Sequence, residues 1–181
     1  MEKLKDKKIA VLLMILMIVL GTAFGSHRSL MKLYNSAQNI FYIGENKDGL
    51  SIQHDLEDRV EYSGYLVKVA EKYMSSDNKL IADVKSSKDA LKNADTIKEK
   101  SNANYQLDSA VRALYDELGN YKLTEKDVQY RREYYASFSS FGDTISGSSY
   151  NNAAREYNRV LNSFPANILG RLTAIRELDI F

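Results

Sequence analysis

The sequence predicts an all-α protein: an N-terminal transmembrane helix followed by an elongated antiparallel helical bundle of four to five main helices. Three observations carry this. Residues 9–26, IAVLLMILMIVLGTAFGS, contain no charged side chain. Beyond them apolar residues recur at steps of three and four, the spacing of one helix face, and no alternation is long enough for a strand. Helix breakers are scarce, with one proline and nine glycines in 181 residues.

A helix over residues 9–26 rises about 27 Å, close to the thickness of a hydrocarbon core. It also satisfies its own backbone hydrogen bonds in lipid. Lys3, Lys5, Lys7 and Lys8 precede the run and outnumber Arg28 and Lys32 behind it. By the positive-inside rule residues 1–8 form a basic cytoplasmic tail, 9–26 cross the membrane, and 27–181 form an exported bundle. The same stretch also has the parts of a cleaved signal peptide, with Ala23-Phe24-Gly25 as a small-x-small site. A single-pass cell-membrane protein is the expectation, and a secreted one the lesser alternative.

The exported part reads as helices in sequence. Leu30, Leu33, Tyr34, Ala37, Ile40 and Phe41 share one face, and Gly44 to Gly49 read as a turn or kink. Ile52, Leu56, Val60, Ser63, Val67, Ala70 and Met74 make a heptad-like stripe. Residues 75–78 read as a break or N-cap. Leu80, Val84, Ser87, Leu91 and Ala94 follow, then Leu107, Ala110, Val111, Leu114, Leu118 and Tyr121. Thr124 with Asp127 fits a loose capping box before Tyr134, Phe138, Phe141 and Ile145. Residues 142–149 are either a loop or a bend in one long helix, and the small offset between flanking stripes favours the bend. Tyr150, Ala153, Ala154, Tyr157, Val160, Leu161 and Phe164 form the next stripe, ended by Pro165. A short last helix is expected over about 167–178, with Ile168, Leu169, Leu172 and Ile175 on one side.

Composition excludes several functions. Without cysteine there are no disulfides, thiolate nucleophiles or Cys-ligated zinc. A net charge of +1 does not suit a dedicated nucleic-acid binder. The 13 tyrosines suit a slender bundle with many half-buried positions. His27 and His54 lack partners at metal-ligand spacing. No phosphate loop and no Gly-x-Ser-x-Gly elbow is present. Asp55, Glu57, Asp58 and Glu61 cluster on one helix, where a solvated charged face outweighs an acid/base pair or a cation site. Arg131-Arg132 reads as an exposed pair. No catalytic, cofactor-binding or metal-ligating set emerges.

Tyr150-Asn151 and Tyr157-Asn158 repeat at seven residues, with Phe164-Pro165 at the next step. This spacing predicts one packed aromatic seam through Tyr150, Tyr157 and Phe164. The asparagines lie about 100° round, where an amide reaches the side chains or backbone of a neighbouring helix; a ligand groove is the rival use. Tyr150, Asn151, Tyr157, Asn158, Phe164, Pro165 and Asn167 together resemble the C-terminal signature of the LemA family of bacterial membrane proteins. Ile52, Leu56, Arg59, Leu66, Val67 and Tyr73 are similar to that family's segment I-x3-L-x-R-R-x-D-L-I-P-N-L-V-x5-Y. Tyr34-Asn35 stands where the family has its first Tyr-Asn, and Asn120-Tyr121-x-Leu123 resembles its N-Y-P-x-L. Order and spacing agree over roughly residues 9–170. The chain departs from the pattern at Asp58, Glu61, Gly64, Tyr65 and Lys122, which marks a divergent member.

The resemblance implies an N-terminal anchor, a helical bundle and no enzymatic activity. The expectation is a non-enzymatic scaffold or binding module of the cell envelope. It would contact the bilayer through residues 9–26, with a protein partner in the envelope, no nucleic acid and no cofactor. The rivals are a sensory ectodomain working through a membrane partner, and an enzyme using the carboxylates of residues 55–61.

Overall fold

The computed structural model describes residues 7–75, 77–173 and 175–181; Lys3 and Lys5, and the side chains of Leu169 and Leu172, lie outside the described residues. Seven helices follow in order: α1 Lys7–Tyr42, α2 Ile52–Ala70, α3 Lys79–Lys92, α4 Ile97–Leu118, α5 Glu125–Gly147, α6 Tyr150–Leu161 and α7 Ala166–Thr173. Among the described residues there is no strand. By its contacts the chain divides into two compact units, Met1–Gln38 with Asn152–Leu178, and Asn39–Asn151 with Asp179–Phe181.

The second unit is a bundle of α2 to α5. Its main packing is α2 on α5 and α3 on α4, with α3 and α4 also against α2. Short connections make successive helices antiparallel. Every residue of the stripe Ile52 to Met74 is buried, which explains why α2 sits at the centre of the packing. Burying one Leu or Val side chain is worth roughly 1.5–3 kcal/mol, so this stripe contributes several kcal/mol to the unit's cohesion. The helix starts are fixed by side chains that accept orphan backbone N–H groups. Ser51 Oγ accepts from His54 N, Asn78 Oδ1 from Leu80 N, and Thr124 Oγ1 from Asp127 N. Thr96 and Glu99 form a full reciprocal capping box at α4. Gly44 turns the chain between α1 and α2 at φ +100°, where an added Cβ would lie 2.5 Å from the Leu50 carbonyl oxygen.

In the first unit, α1 carries the apolar run. It is the one described helix long and apolar enough to cross a membrane, and none of the apolar window is buried. Leu30 and Ala37 are buried, and the Tyr34 ring meets the Tyr157 ring edge-on at 5.7 Å.

Three expectations change. The helix does not run through residues 142–149: α5 stops at Gly147, and Ser148 adopts extended backbone (ψ 142°). Ser148 Oγ then accepts from Tyr150 N and starts α6. The last helix is shorter than 167–178, because α7 ends at Thr173 and residues 175–181 have neither helix nor strand. Phe164 is not part of a packed seam. It is 80% exposed, because α6 ends at Leu161 and the heptad step beyond Tyr157 runs off the helix.

Candidate functional site

Arg59 lies at the edge of the α2 stripe, and its guanidinium is held by two other helices of the same unit. Nη2 donates to Asp108 Oδ1 on α4 at 2.6 Å. The guanidinium carbon sits 4.0 Å from the centre of the Phe138 ring on α5. One turn further along α5, Gly142 leaves room for it, since a Cβ there would fall 2.0 Å from Nη1. Arg59 is 3% exposed. Burial pulls its pKa below the usual arginine value, and Asp108 opposes that pull. The Nε–H has no hydrogen-bond partner.

The guanidinium forms part of the wall of a cleft of about 390 Å³. From α4 the wall takes Ser101, Asn104, Tyr105, Asp108 and Arg112, which recur at helical steps and form one polar face. From α5 it takes Ser139, Gly142, Asp143, Ile145 and Ser146, and Asn151 and Phe181 complete it. Asn104 Oδ1 is buried without a partner. Arg112 stands 3.9 Å from Asp108 and is largely exposed.

The Tyr-Asn pairs act on the segment 175–181. In the first unit Asn158 Nδ2 donates to Leu178 O and its Oδ1 accepts from Leu178 N, both at 2.8 Å, while the Tyr157 hydroxyl donates to Arg176 O at 3.1 Å. In the second unit Asn151 brackets Phe181 in the same two-way fashion, both bonds at 2.9 Å, and the Tyr150 hydroxyl donates to Asp179 O at 2.7 Å. An amide that grips the N–H and C=O of one residue reads backbone, since these two groups point to the same side in extended chain. Leu178 is buried, and the Phe181 ring lies 5.7 Å from that of Phe41. The amide was expected to reach a neighbouring helix; its partner is an irregular segment instead.

A third cluster joins the end of α2 to the start of α5. Asp127 accepts from Lys72 Nζ and from the Tyr73 hydroxyl, each at 2.6 Å, and from Thr124 Oγ1 at 2.9 Å. These bonds, that from Lys72 foremost, hold its pKa down at about 2. The Tyr73 oxygen in turn accepts from Thr124 N.

Of the acidic residues 55–61, Glu57 and Glu61 have separate partners, while Asp55 and Asp58 share His54. Glu57 accepts from Gln53, Glu61 from the Tyr65 hydroxyl, and Asp58 stands 3.6 Å from His54. Asp55 is buried, and desolvation raises its pKa against the pull of His54. Among the described residues no group of three His, Asp or Glu converges on a cation position. Arg131 stacks on the Tyr115 ring at 3.8 Å and donates twice to the Tyr115 carbonyl, so it is an interhelical tie.

Of the residues singled out from sequence, the cleft brings together Arg59 and Asn151. Leu66 and Val67 are core, and Asn35 is exposed. Pro165 follows Phe164 through a cis peptide bond, and Asn167, the second residue of α7, has its Oδ1 unpartnered. Sequence reasoning did not find Asp108, Asn104 or the need for glycine at 142. The available signal was the run of polar residues at helical spacing on α4, set beside its apolar stripe.

Compared with known families, the chain matches the LemA family model over residues 50–181, a span that holds Arg59 and both Tyr-Asn pairs of α6 and leaves out Tyr34 and Asn35. No curated protein matches it.

Proposed function

The chain belongs to the LemA family, and on that premise we propose that it is a membrane-anchored, non-enzymatic binding module of the bacterial cell envelope. The N-terminus stays in the cytoplasm and the helices beyond residue 26 stand outside. The observation that carries this is the apolar run of α1, none of which is buried among the described residues. An apolar surface of that length is stable only in lipid or against a partner. Lys7 and Lys8, at its start, favour the cytoplasmic side for that end. Binding rather than chemistry is supported by the polar groups outside the cleft. Glu57 and Glu61 are bonded to Gln53 and Tyr65, Asp58 stands beside His54, and Arg131 and Asp127 tie helices together. The bilayer is one partner, and a protein or glycan of the envelope is the other.

The absence of native cysteine makes the test direct. Single cysteines at Ser36 and at Asp116, in otherwise unaltered chains, are probed in intact cells with a membrane-impermeant maleimide. Both should label, and the protein should stay with the membrane pellet at its full mass. Labelling only after lysis would reverse the orientation, and recovery of a shortened soluble chain would replace the anchor with a cleaved signal. A hydrolase or transferase activity abolished by one substitution would overturn the non-enzymatic reading.

A further inference from the structure

We propose that the cleft beside Arg59 binds an uncharged, hydroxyl-rich ligand with the size and chemistry of a sugar residue. The inference rests on the binding-module reading and names the ligand class for it.

The first observation is a pair of unmet valencies on two residues that line the cleft. Arg59 Nε–H is a buried donor and Asn104 Oδ1 a buried acceptor, and neither has a partner. Leaving such a group unmet costs about 1–3 kcal/mol, so the site favours a ligand that donates and accepts at once. A hydroxyl does both. Holding helices together explains part of Arg59, namely Nη2 on Asp108 and the guanidinium face on Phe138. It does not explain the Nε–H, nor the cleft.

The second observation is charge. Arg59 and Arg112 on the wall are matched by Asp108 and Asp143. A phosphate or carboxylate entering the cleft meets two acidic side chains, and a divalent cation meets two guanidiniums. Like-charge encounters penalise both, and a neutral ligand avoids them.

The third is shape. At about 390 Å³ the cleft is within the usual range for small-molecule sites. It would hold roughly thirteen water volumes, comparable to the non-hydrogen atoms of one ring sugar. Tyr105 stands on its wall and is 75% exposed, an unusual position for a large ring. Its face offers a platform for the apolar side of a pyranose, and Ser101, Asn104 and Ser139 supply hydroxyls and an amide on the same wall.

A free sugar and a residue within a polymer share this chemistry. The test uses the full chain in lipid nanodiscs, which avoids glycosidic detergents, and reads saturation-transfer NMR. The probes are glucose, N-acetylglucosamine, maltose and dextran, with inorganic phosphate, calcium chloride and glutamate beside them. At least one carbohydrate should bind, with a dissociation constant near or below about 1 mM. Tyr105→Ala and Asn104→Leu should each weaken it about tenfold, the loss of one hydrogen bond or stacking contact. Both variants should keep the wild-type melting temperature. Saturation by the small sugars assigns a free ligand, and saturation by dextran alone assigns a chain. The proposal falls if no carbohydrate binds at about 50 mM, if both variants bind as wild type does, or if phosphate, calcium or glutamate binds more tightly. Orientation in the cell has no bearing on this readout, so its failure and that of the topology are separable.

Discussion

Asn158→Ala should release the chain around Leu178 without unfolding the helices. Asn158 makes two hydrogen bonds to one residue, donating to Leu178 O and accepting from Leu178 N, both at 2.8 Å. Each is worth about 1 kcal/mol net. The alanine also leaves both backbone groups of a buried residue without partners, so the total loss is about 2–3 kcal/mol. That is roughly a 30- to 150-fold rise in the population of the undocked segment. The change is local, because Leu178 lies outside the helices and undocks without breaking one. Hydrogen–deuterium exchange of the full chain in nanodiscs is the assay. Within the peptide covering 177–181 the Leu178 amide should lose protection by that factor, while peptides within α2 and α4 keep theirs. Asn158→Asp, which keeps the shape and the acceptor but loses the amide donor, should fall between. Unchanged protection of the Leu178 amide in Asn158→Ala would show that Asn158 does not hold it, and would refute the clamp.

Phe164→Ala should change stability by no more than about 0.5 kcal/mol, because the ring is 80% exposed; a loss of about 3–5 kcal/mol in denaturant unfolding would put it in a core. Gly142→Ala should destabilise by about 1–3 kcal/mol even though alanine favours a helix by about 1 kcal/mol, since its Cβ displaces a guanidinium pinned by Asp108 and Phe138. Urea unfolding decides the sign, and stabilisation would mean Arg59 moves freely. Asp127→Asn should destabilise at neutral pH, with the deficit closing in acid. The folded carboxyl stays ionised down to about pH 2 against 3.8 for the ordinary group, so its contribution is complete above about pH 4 and lost as pH falls towards 2. Thermal melts of the pair from pH 6 to pH 2 should converge, and a constant gap would remove the ionised Asp127 from the account.

The helices were legible because their signal is local. Ile52 to Met74 follow one face at steps of three and four, and all seven residues are buried. Thr124 and Asn78 announce helix starts through bonds spanning two or three residues. Asp108 and Gly142 were not legible, because each acquires its role from Arg59, 49 residues before Asp108 along the chain. Nothing in α4 distinguishes Asp108 from Asp116, which is exposed. The break at Ser148 was hidden for a different reason. The apolar stripes on either side are nearly in phase, so periodicity alone favours continuity, and a serine side chain that recaps the next helix leaves the same pattern.

Phe164 shows where a spacing rule stops. A seven-residue step advances a helix by about 10.5 Å. Tyr157 and Tyr150 bind the carbonyls of Arg176 and Asp179, and Asn158 and Asn151 bracket Leu178 and Phe181. In each unit the Tyr-Asn pair therefore binds one carbonyl and brackets the residue two positions further on. Asparagine suits the second position because its short amide has both a donor and an acceptor; aspartate would lose the donor. A third step falls on Phe164-Pro165, beyond the last residue of α6, with no amide to offer. The motif's shared spacing thus conceals a change of role, in which two pairs hold backbone and the third marks the end of the helix that presents them.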